Sequence, residues 1–241
     1  MTPSAASAPR DLALSLVVPA YNEEALLESS VRLLRAALDE LGLAAEIIIV
    51  NDGSRDATAA VADALARDLP RVRVHHQANQ GIGSAFRAGV ALASGGYVML
   101  WPADMPPVAS DLAPYSDRFG RADVIVGCRR HRAGYNPLML VNAWLYPRLV
   151  TLLFGLRLRD VNWIHAYRRE AFLRLHLTQR GIPMLAETLV RFRDAGASIV
   201  EVEVEMRPRA AGVPSAARPR VMARTLRGLL AFWLAWRREA R

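Results

Sequence analysis

Four short stretches hold most of the residues able to do chemistry in this 241-residue chain. "PAYNEE" carries Pro19, Tyr21, Asn22 and Glu23, and "NDGSRDAT" carries Asp52 and Ser54. "PADMP" carries Asp104, and "GCRRHR" carries Arg129, Arg130 and Arg132. Each follows an aliphatic or β-branched run of strand length, and in open α/β sheets ligands bind beyond the carboxyl ends of the strands. Three ends offering carboxylates or amides and one offering arginines suit a nucleotide and a phosphate. An acid just past a strand, like Asp104, is a common way to present a metal ligand. Magnesium often uses only one or two protein carboxylates and completes its shell with substrate phosphates and water. Plainer readings stand beside these. Asp52 and Ser54, and likewise Asn22 and Glu23, suit helix starts, where Asn, Asp and Ser cap and acids complement the dipole. The arginines read equally as a solvated basic loop.

The elements that must hold these residues follow from periodicity. "LALSLVVPAY" and "AEIIIVND" are continuous apolar runs of the kind that fill a parallel sheet covered on both faces. Between them Leu27, Val31, Leu34 and Leu38 recur at helical spacing, which makes a βαβ unit. The pattern continues with a helix from Asp56 to about Asp68, strand "VRVHH", helix "GSAFRAGVALA", strand "YVMLW", a proline-rich turn and strand "DVIVGC". Five strands separated by short helices describe a doubly wound, mostly parallel α/β sheet. "NQGIGSAFRAG" is not a dinucleotide fingerprint, because Phe86 stands where the third glycine belongs and the stretch does not follow the first strand. Beyond Arg129 the chain becomes basic, then apolar from about Pro137 to Leu156. It continues through an element of open type around "WIHAYRREAF", a helix near Leu185 to Ala195 and the alternating strand "SIVEVEVEM".

Charge and hydropathy limit the partners. The formal charge is +8, and every basic side chain is arginine, there being no lysine. The arginines accompany long apolar faces and no nucleic-acid-binding motif is present, so nucleic acid is not expected as a partner. Cys128 is the only cysteine, which excludes an intrachain disulfide and a cysteine-rich zinc site. Residues 1–11 read as a disordered tail, and the apolar run Leu12 to Val18 is too short for a signal peptide. "NPLMLVNAWLYPRLVTLLFGL" is interrupted by Asn142, Pro147 and Arg148, which argues against an ordinary spanning helix. In residues 213–241, Met222, Leu226, Leu229, Leu230, Trp233 and Leu234 share one helical face flanked by arginines, as in a helix lying in a membrane interface. Packing of that face against the domain or a second subunit is the alternative.

The strand ends, in this order, resemble glycosyltransferase family 2, the inverting GT-A enzymes, and within it the polyprenyl-phosphate sugar synthases. The resemblance covers roughly residues 14–212 and is carried by "VVPAYNEE", "IIIVNDGSRDAT", "NQGIGSAFRAGVALASGGYVML", "GCRRH", "RDVNWIHAYRREAF" and "EVEVEMRPRAAGVPS". It implies a GT-A, Rossmann-like domain over 12–212 that contains apolar interfacial helices at 137–156. It further implies that Pro19, Tyr21, Asn22, Glu23 and Asp52 line the donor nucleotide site, with Ser54 beside them. Asp104 coordinates a divalent metal, Mg²⁺ or Mn²⁺, Arg129 meets the acceptor phosphate and Arg209 reaches the donor diphosphate.

The chain departs from that pattern in places. The acidic turn reads Pro102-Ala103-Asp104 and lacks one of two acids, Ile82 replaces a basic residue, and the later motif reads Asn162-Trp163-Ile164-His165. The expected reaction is transfer of a sugar from a UDP- or GDP-sugar, with inversion, to polyprenyl phosphate. The enzyme is expected in the cytoplasm, peripheral at the inner membrane face. A phosphate acceptor is already an anion and needs no general base, whereas a glycan or small-molecule hydroxyl would need one. For the hydroxyl case His165 and Glu187 are the candidates. A non-catalytic nucleotide-sugar-binding protein is the third reading.

Overall fold

The computed structural model describes residues 12–105, 107–132, 135–205 and 219–239. The expected tail over 1–11 and the segment bearing Arg209 lie outside them. The first half forms β1 (Leu14–Ala20), α1 (Leu27–Glu40), β2 (Ala45–Asp52), α2 (Thr58–Asp68), β3 (Val72–Gln77), α3 (Ile82–Leu92) and β4 (Tyr97–Leu100). The second half forms α4 (Ala109–Ser116), β5 (Val124–Arg129), α5 (Pro137–Phe154), β6 (His165–Arg168), α6 (Arg169–Leu173), α7 (Pro183–Asp194), β7 (Ile199–Val204) and α8 (Pro219–Glu239).

All seven strands lie in one sheet, in the order β3-β2-β1-β4-β6-β5-β7. Every pair is parallel except the two made by β6, which enters antiparallel between β4 and β5. The "WIHAYRREAF" element is therefore a strand followed by one short helix. Because β6 runs backwards, the loop that precedes it emerges at the same end of the sheet as the carboxyl ends of β1, β2, β4, β5 and β7. Chain order reverses between β1 and β4, and the crevice of a doubly wound sheet opens at such a switch point.

Alternation along the buried strands divides the core in two. Leu16 and Val18 of β1 and Ile47 and Ile49 of β2 pack with Leu27, Val31 and Leu34 of α1 on one face. Val17, Ile48 and Val50 pack with Phe86 and Val90 of α3 on the other, together with residues of α5, α7 and α8. Truncating a fully buried leucine in such a layer to alanine costs about 2–5 kcal/mol. Gly89 lets α3 approach β1, since a Cβ there would lie 2.3 Å from Val17 Cγ1.

Two expectations are corrected. The proline-rich turn after β4 contains a helix, α4, which tolerates Pro114 within its eight residues. Asp111 starts it by accepting the Val108 N–H at 3.0 Å while its own N–H donates to the Val108 carbonyl at 2.9 Å. The apolar stretch is one unbroken 18-residue helix, α5, long and apolar enough by length and composition to cross a membrane. Pro147 removes one N–H but does not end it. Thr151 Oγ1 donates back to the Pro147 carbonyl at 3.0 Å. Tyr146, Val150 and Phe154, one turn apart on a single side, fasten its second half to the domain.

Candidate active site

The loops after β1 and β2 are stitched to each other. Asn22 adopts a left-handed backbone, φ 55°, which asparagine tolerates better than most side chains. Its N–H donates to Ser54 Oγ at 3.0 Å, and its Oδ1 accepts the Arg55 N–H at 2.9 Å. The Glu23 N–H donates to Thr58 Oγ1 at 2.8 Å, and Glu24 Oε2 accepts the Ala57 N–H at 2.7 Å. The polar residues that suited helix caps instead bond across the two loops, and neither α1 nor α2 has a side-chain hydrogen bond at its N-cap residue. Pro19 is half-buried at the end of β1, and Tyr21 just beyond it is 44% exposed.

Asp52 does not cap α2. Its buried carboxylate turns toward the loop that opens α3. Oδ1 accepts from Gln77 Nε2 at 2.7 Å and the Gln80 N–H at 2.9 Å, and Oδ2 accepts the Gly81 N–H at 2.8 Å. Gly53, at φ +73°, permits the turn, since a Cβ there would meet the Asn79 nitrogen at 2.7 Å. The ends of β1 and β2 and the start of α3 therefore form one continuous polar rim.

Asp104 sits in the turn that follows β4. The turn is closed by the Met105 N–H on the Pro102 carbonyl at 3.2 Å and by the Trp101 indole N–H on the Met105 carbonyl at 2.8 Å. The Trp101 N–H donates to the Val17 carbonyl of β1 at 2.8 Å, and the restricted ring of Pro102 stiffens the turn that follows. Asp104 is half-buried beside Ala103, which is 4% exposed. Among the described residues no group of three or more His, Cys, Asp or Glu side chains is placed to hold a metal. The donor set therefore fits a divalent ion only if the ion takes most of its ligands from diphosphate and water.

At the end of β5 the arginines divide by role. Arg129 donates through Nε and Nη2 to both oxygens of Asp160, at 2.6 and 2.8 Å, and through Nη1 to Tyr135 Oη at 2.5 Å. The Trp163 ring covers it, with the guanidinium carbon 4.7 Å from the ring centroid. The two side chains of this pair are only 5% and 3% exposed. Burial by itself would lower the Arg129 pKa, but the Asp160 carboxylate outweighs it and the net shift is upward. Burial likewise pushes Asp160 up, and its bonds to Arg129 overcome this and hold it low. The pair is ionised, and Arg129 is enclosed within it. Arg132 also approaches Asp160, at 3.5 Å, and is half-buried, while Arg130 is exposed. Asp160 and Trp163 carry no separate signal in the sequence beyond lying in "RDVNW", because their partner is 31 positions away for Asp160.

Both candidate bases are buried. Glu187 is fully buried on α7 and accepts from the Thr178 N–H, Thr178 Oγ1 and the Gln179 N–H. His165 is 1% exposed, and burial drives its pKa down to about 4.

Two helices leave apolar residues exposed. On α5 these include Leu138, Val141, Trp144, Leu145 and Leu152, with the Arg148 guanidinium stacked 3.9 Å over Trp144. On α8 the expected apolar face is divided. Leu229 and Phe232 are buried against the domain, Trp233 and Trp236 pack beside them, and Leu226, Leu230 and Leu234 remain exposed. Phe154 of α5 stacks on Phe232 at 5.1 Å, the Trp236 indole N–H donates to Asp194 at 2.6 Å, and Glu239 pairs with Arg191.

Comparison with known proteins gives the family. The profile described as "Glycosyl transferase family 2" matches residues 15–184. The undecaprenyl-phosphate 4-deoxy-4-formamido-L-arabinose transferase of Pseudomonas aeruginosa is 35% identical over 196 residues, covering 76% of this chain and 56% of that protein. The chain thus spans little more than half the length of that relative. The polyprenol monophosphomannose synthase of Mycolicibacterium smegmatis is 30% identical over 217 residues, covering 82% of this chain and 78% of that one. Among solved structures, glucosyl-3-phosphoglycerate synthase from Mycobacterium tuberculosis, crystallised with Mn²⁺, UDP and phosphoglyceric acid, superposes with a TM-score of 0.71 at 22% identity, over 92% of this chain and 78% of that one. Mannosyl-3-phosphoglycerate synthase from Rubrobacter xylanophilus gives 0.73 at 17% identity, over 95% and 76%. These likenesses show the GT-A fold.

Proposed function

We propose that this chain, which belongs to glycosyltransferase family 2, moves a sugar from a UDP- or GDP-sugar, with inversion, onto a polyprenyl phosphate at the cytoplasmic membrane face. One observation carries the acceptor side of this reading: the arginine-bearing end of β5 is followed in chain order by α5, which leaves apolar side chains exposed. An anionic headgroup on a long hydrocarbon chain matches that order of charge and oil.

On the donor side, Pro19, Tyr21, Asn22, Glu23, Asp52 and Ser54 form the nucleotide rim, which Asp52 keeps rigid by closing the loop to α3. Asp104 lies past β4, across the switch point, and with the donor diphosphate would hold Mg²⁺ or Mn²⁺. Such an ion offsets charge developing on the departing nucleoside diphosphate. Arg209 is assigned to the same diphosphate. On the acceptor side, Arg129 and Asp160 make a fixed base for the segment, and Arg130 and Arg132 carry the charge presented to the acceptor phosphate. A phosphate oxygen forms the new bond to the anomeric carbon on the face opposite the diphosphate oxygen, whose bond to that carbon breaks. No proton has to be removed. Positioning alone can supply much of the rate. Burial of His165 and Glu187 favours this acceptor over a hydroxyl.

Membrane attachment rests on α5 and α8. Trp144, Trp233 and arginines flank exposed leucines, the composition of an interfacial helix. Each arginine near an anionic leaflet adds about 1 kcal/mol.

The test is transfer from labelled UDP- and GDP-sugars into bacterial lipid extract, with and without Mg²⁺ or Mn²⁺, for the wild type and Asp104→Ala. Metal-dependent labelled lipid that disappears in the variant supports the reading. Nucleotide-sugar binding with no transfer from any donor would support a non-catalytic protein instead.

A further inference from the structure

Glu187 has no exposure, and among the described residues its three hydrogen bonds all come from one loop, residues 174–182 between α6 and α7. Oε1 accepts from the Thr178 N–H at 2.9 Å and Thr178 Oγ1 at 2.8 Å, and Oε2 accepts the Gln179 N–H at 2.8 Å. A buried carboxylate is tolerated when its lone pairs are met in this way. The next two carbonyls of the same loop face α3. Gln179 O accepts from Arg87 Nη1 at 2.6 Å, and Arg180 O accepts the Gly83 N–H at 2.8 Å. The fit leaves no room for a side chain, since a Cβ on Gly83 would lie 2.8 Å from Arg180 O and one on Gly81 3.1 Å from it. Gly81 is the residue whose N–H binds Asp52. A continuous set of hydrogen bonds therefore runs from Glu187 through the loop to the first turn of α3 and on to the nucleotide rim.

We infer that Glu187 is a positioning residue for the donor site: by fixing the 174–182 loop it sets the start of α3, and so the Gln80–Gly81 backbone that Asp52 grips. This rests on the reading of that rim as the nucleotide site. The loop is braced from outside as well. A Cβ on Gly228 of α8 would meet Pro183 Cγ at 2.8 Å and Gln179 Oε1 at 3.0 Å. The helix that carries exposed leucines is thus in contact with the loop that shapes the rim.

Glu187→Gln keeps the volume but replaces one acceptor oxygen by a donor amide, so it cannot accept all three bonds. Calorimetric titration with UDP and with GDP, in the presence of Mn²⁺, is expected to show affinity weakened by about tenfold, roughly the loss of one charge-assisted hydrogen bond. The thermal transition should remain cooperative and amide exchange at Gly81 and Gly83 should accelerate. Gly83→Ala, which leaves Glu187 intact and presses on the loop from the other side, is expected to weaken nucleotide binding in the same direction. At saturating donor the turnover of both variants should stay near wild type, because the effect is on donor binding. If the wild type binds nucleotide and Glu187→Gln binds it equally tightly while Gly83 exchange accelerates, the loop is merely structural and the inference is overturned. If the wild type binds neither UDP nor GDP, the donor reading fails and the inference falls with it.

Discussion

The two ends of the crevice are built on opposite principles. At β1 and β2 the loops are joined by several separate hydrogen bonds between side chains and backbone, among them Asn22 to Ser54 and Arg55, Glu23 to Thr58, and Asp52 to Gln80 and Gly81. At β5 the contacts converge on one buried ion pair, Arg129 with Asp160, which Arg132 also approaches. A net hydrogen bond contributes about 0.5–1.5 kcal/mol, so the first arrangement spreads its stabilisation over many small contacts. The second concentrates it, because a charge left alone in the interior costs far more than a lost hydrogen bond. The rim at β1 and β2 should therefore tolerate single changes that the arginine end does not.

The largest expected effect breaks the concentrated end. Asp160→Ala should destabilise the protein by about 3–5 kcal/mol in urea unfolding at pH 7, because Arg129 stays buried without its counter-charge. Replacing both partners by apolar side chains, Arg129→Met with Asp160→Leu, should recover most of that loss. If the double variant is no better than the single, the pair acts through something other than charge.

A smaller effect is pH-dependent and sits beside that pair. His165 is neutral when folded, its pKa lowered from 6.5 to about 4 by burial. Between those values the unfolded chain binds more protons, so stability is full above the upper value and declines as pH falls toward the lower one. The loss should be roughly 1–3 kcal/mol. It adds to the loss at Asp160, whose low pKa ties its contribution to the higher pH side. In His165→Leu the part of the slope between pH 6.5 and 4 should flatten, measured by unfolding at a series of pH values.

At the distributed end, Ser54→Ala removes the acceptor for the Asn22 N–H and should cost only about 1 kcal/mol in the same assay. A loss as large as that at Asp160 would show that the rim is not distributed after all. Least of all in stability, the triple change Leu138→Ser, Val141→Ser and Leu145→Ser should move unfolding by less than about 0.5 kcal/mol, since these side chains are exposed. It should nevertheless weaken co-sedimentation with anionic vesicles if α5 meets the membrane, with α8 supplying what attachment remains.

The same contrast explains what could be read from the chain. The strands β1 and β2 were legible as continuous apolar runs, and Asn22, Asp52 and Ser54 as polar residues at strand ends, because strand and cap signals are local. The partner of Asp52 was not legible, since the start of α2 at Thr58 was nearer in the chain than a loop 28 positions away. Arg129 stood out as a charge, but pairing with Asp160 is a long-range event with no periodic signature. The helix α4 was hidden among prolines that read as a turn. On α8 helical spacing grouped Leu229 with Leu226, Leu230 and Leu234, yet only the packing of Phe154 and α7 decides which side of so wide a stripe is covered.

The central claim is that the acceptor is already an anion, argued from the burial of His165 and Glu187, the two candidate bases. The direct measurement is transfer of labelled sugar to undecaprenyl phosphate and to undecaprenol, each incorporated in the same vesicles, with donor and metal held constant. Label in the phosphate alone, with the product's anomeric configuration opposite to the donor's, is the predicted result. Equal transfer to the free alcohol would contradict the account and require a base that neither His165 nor Glu187 supplies.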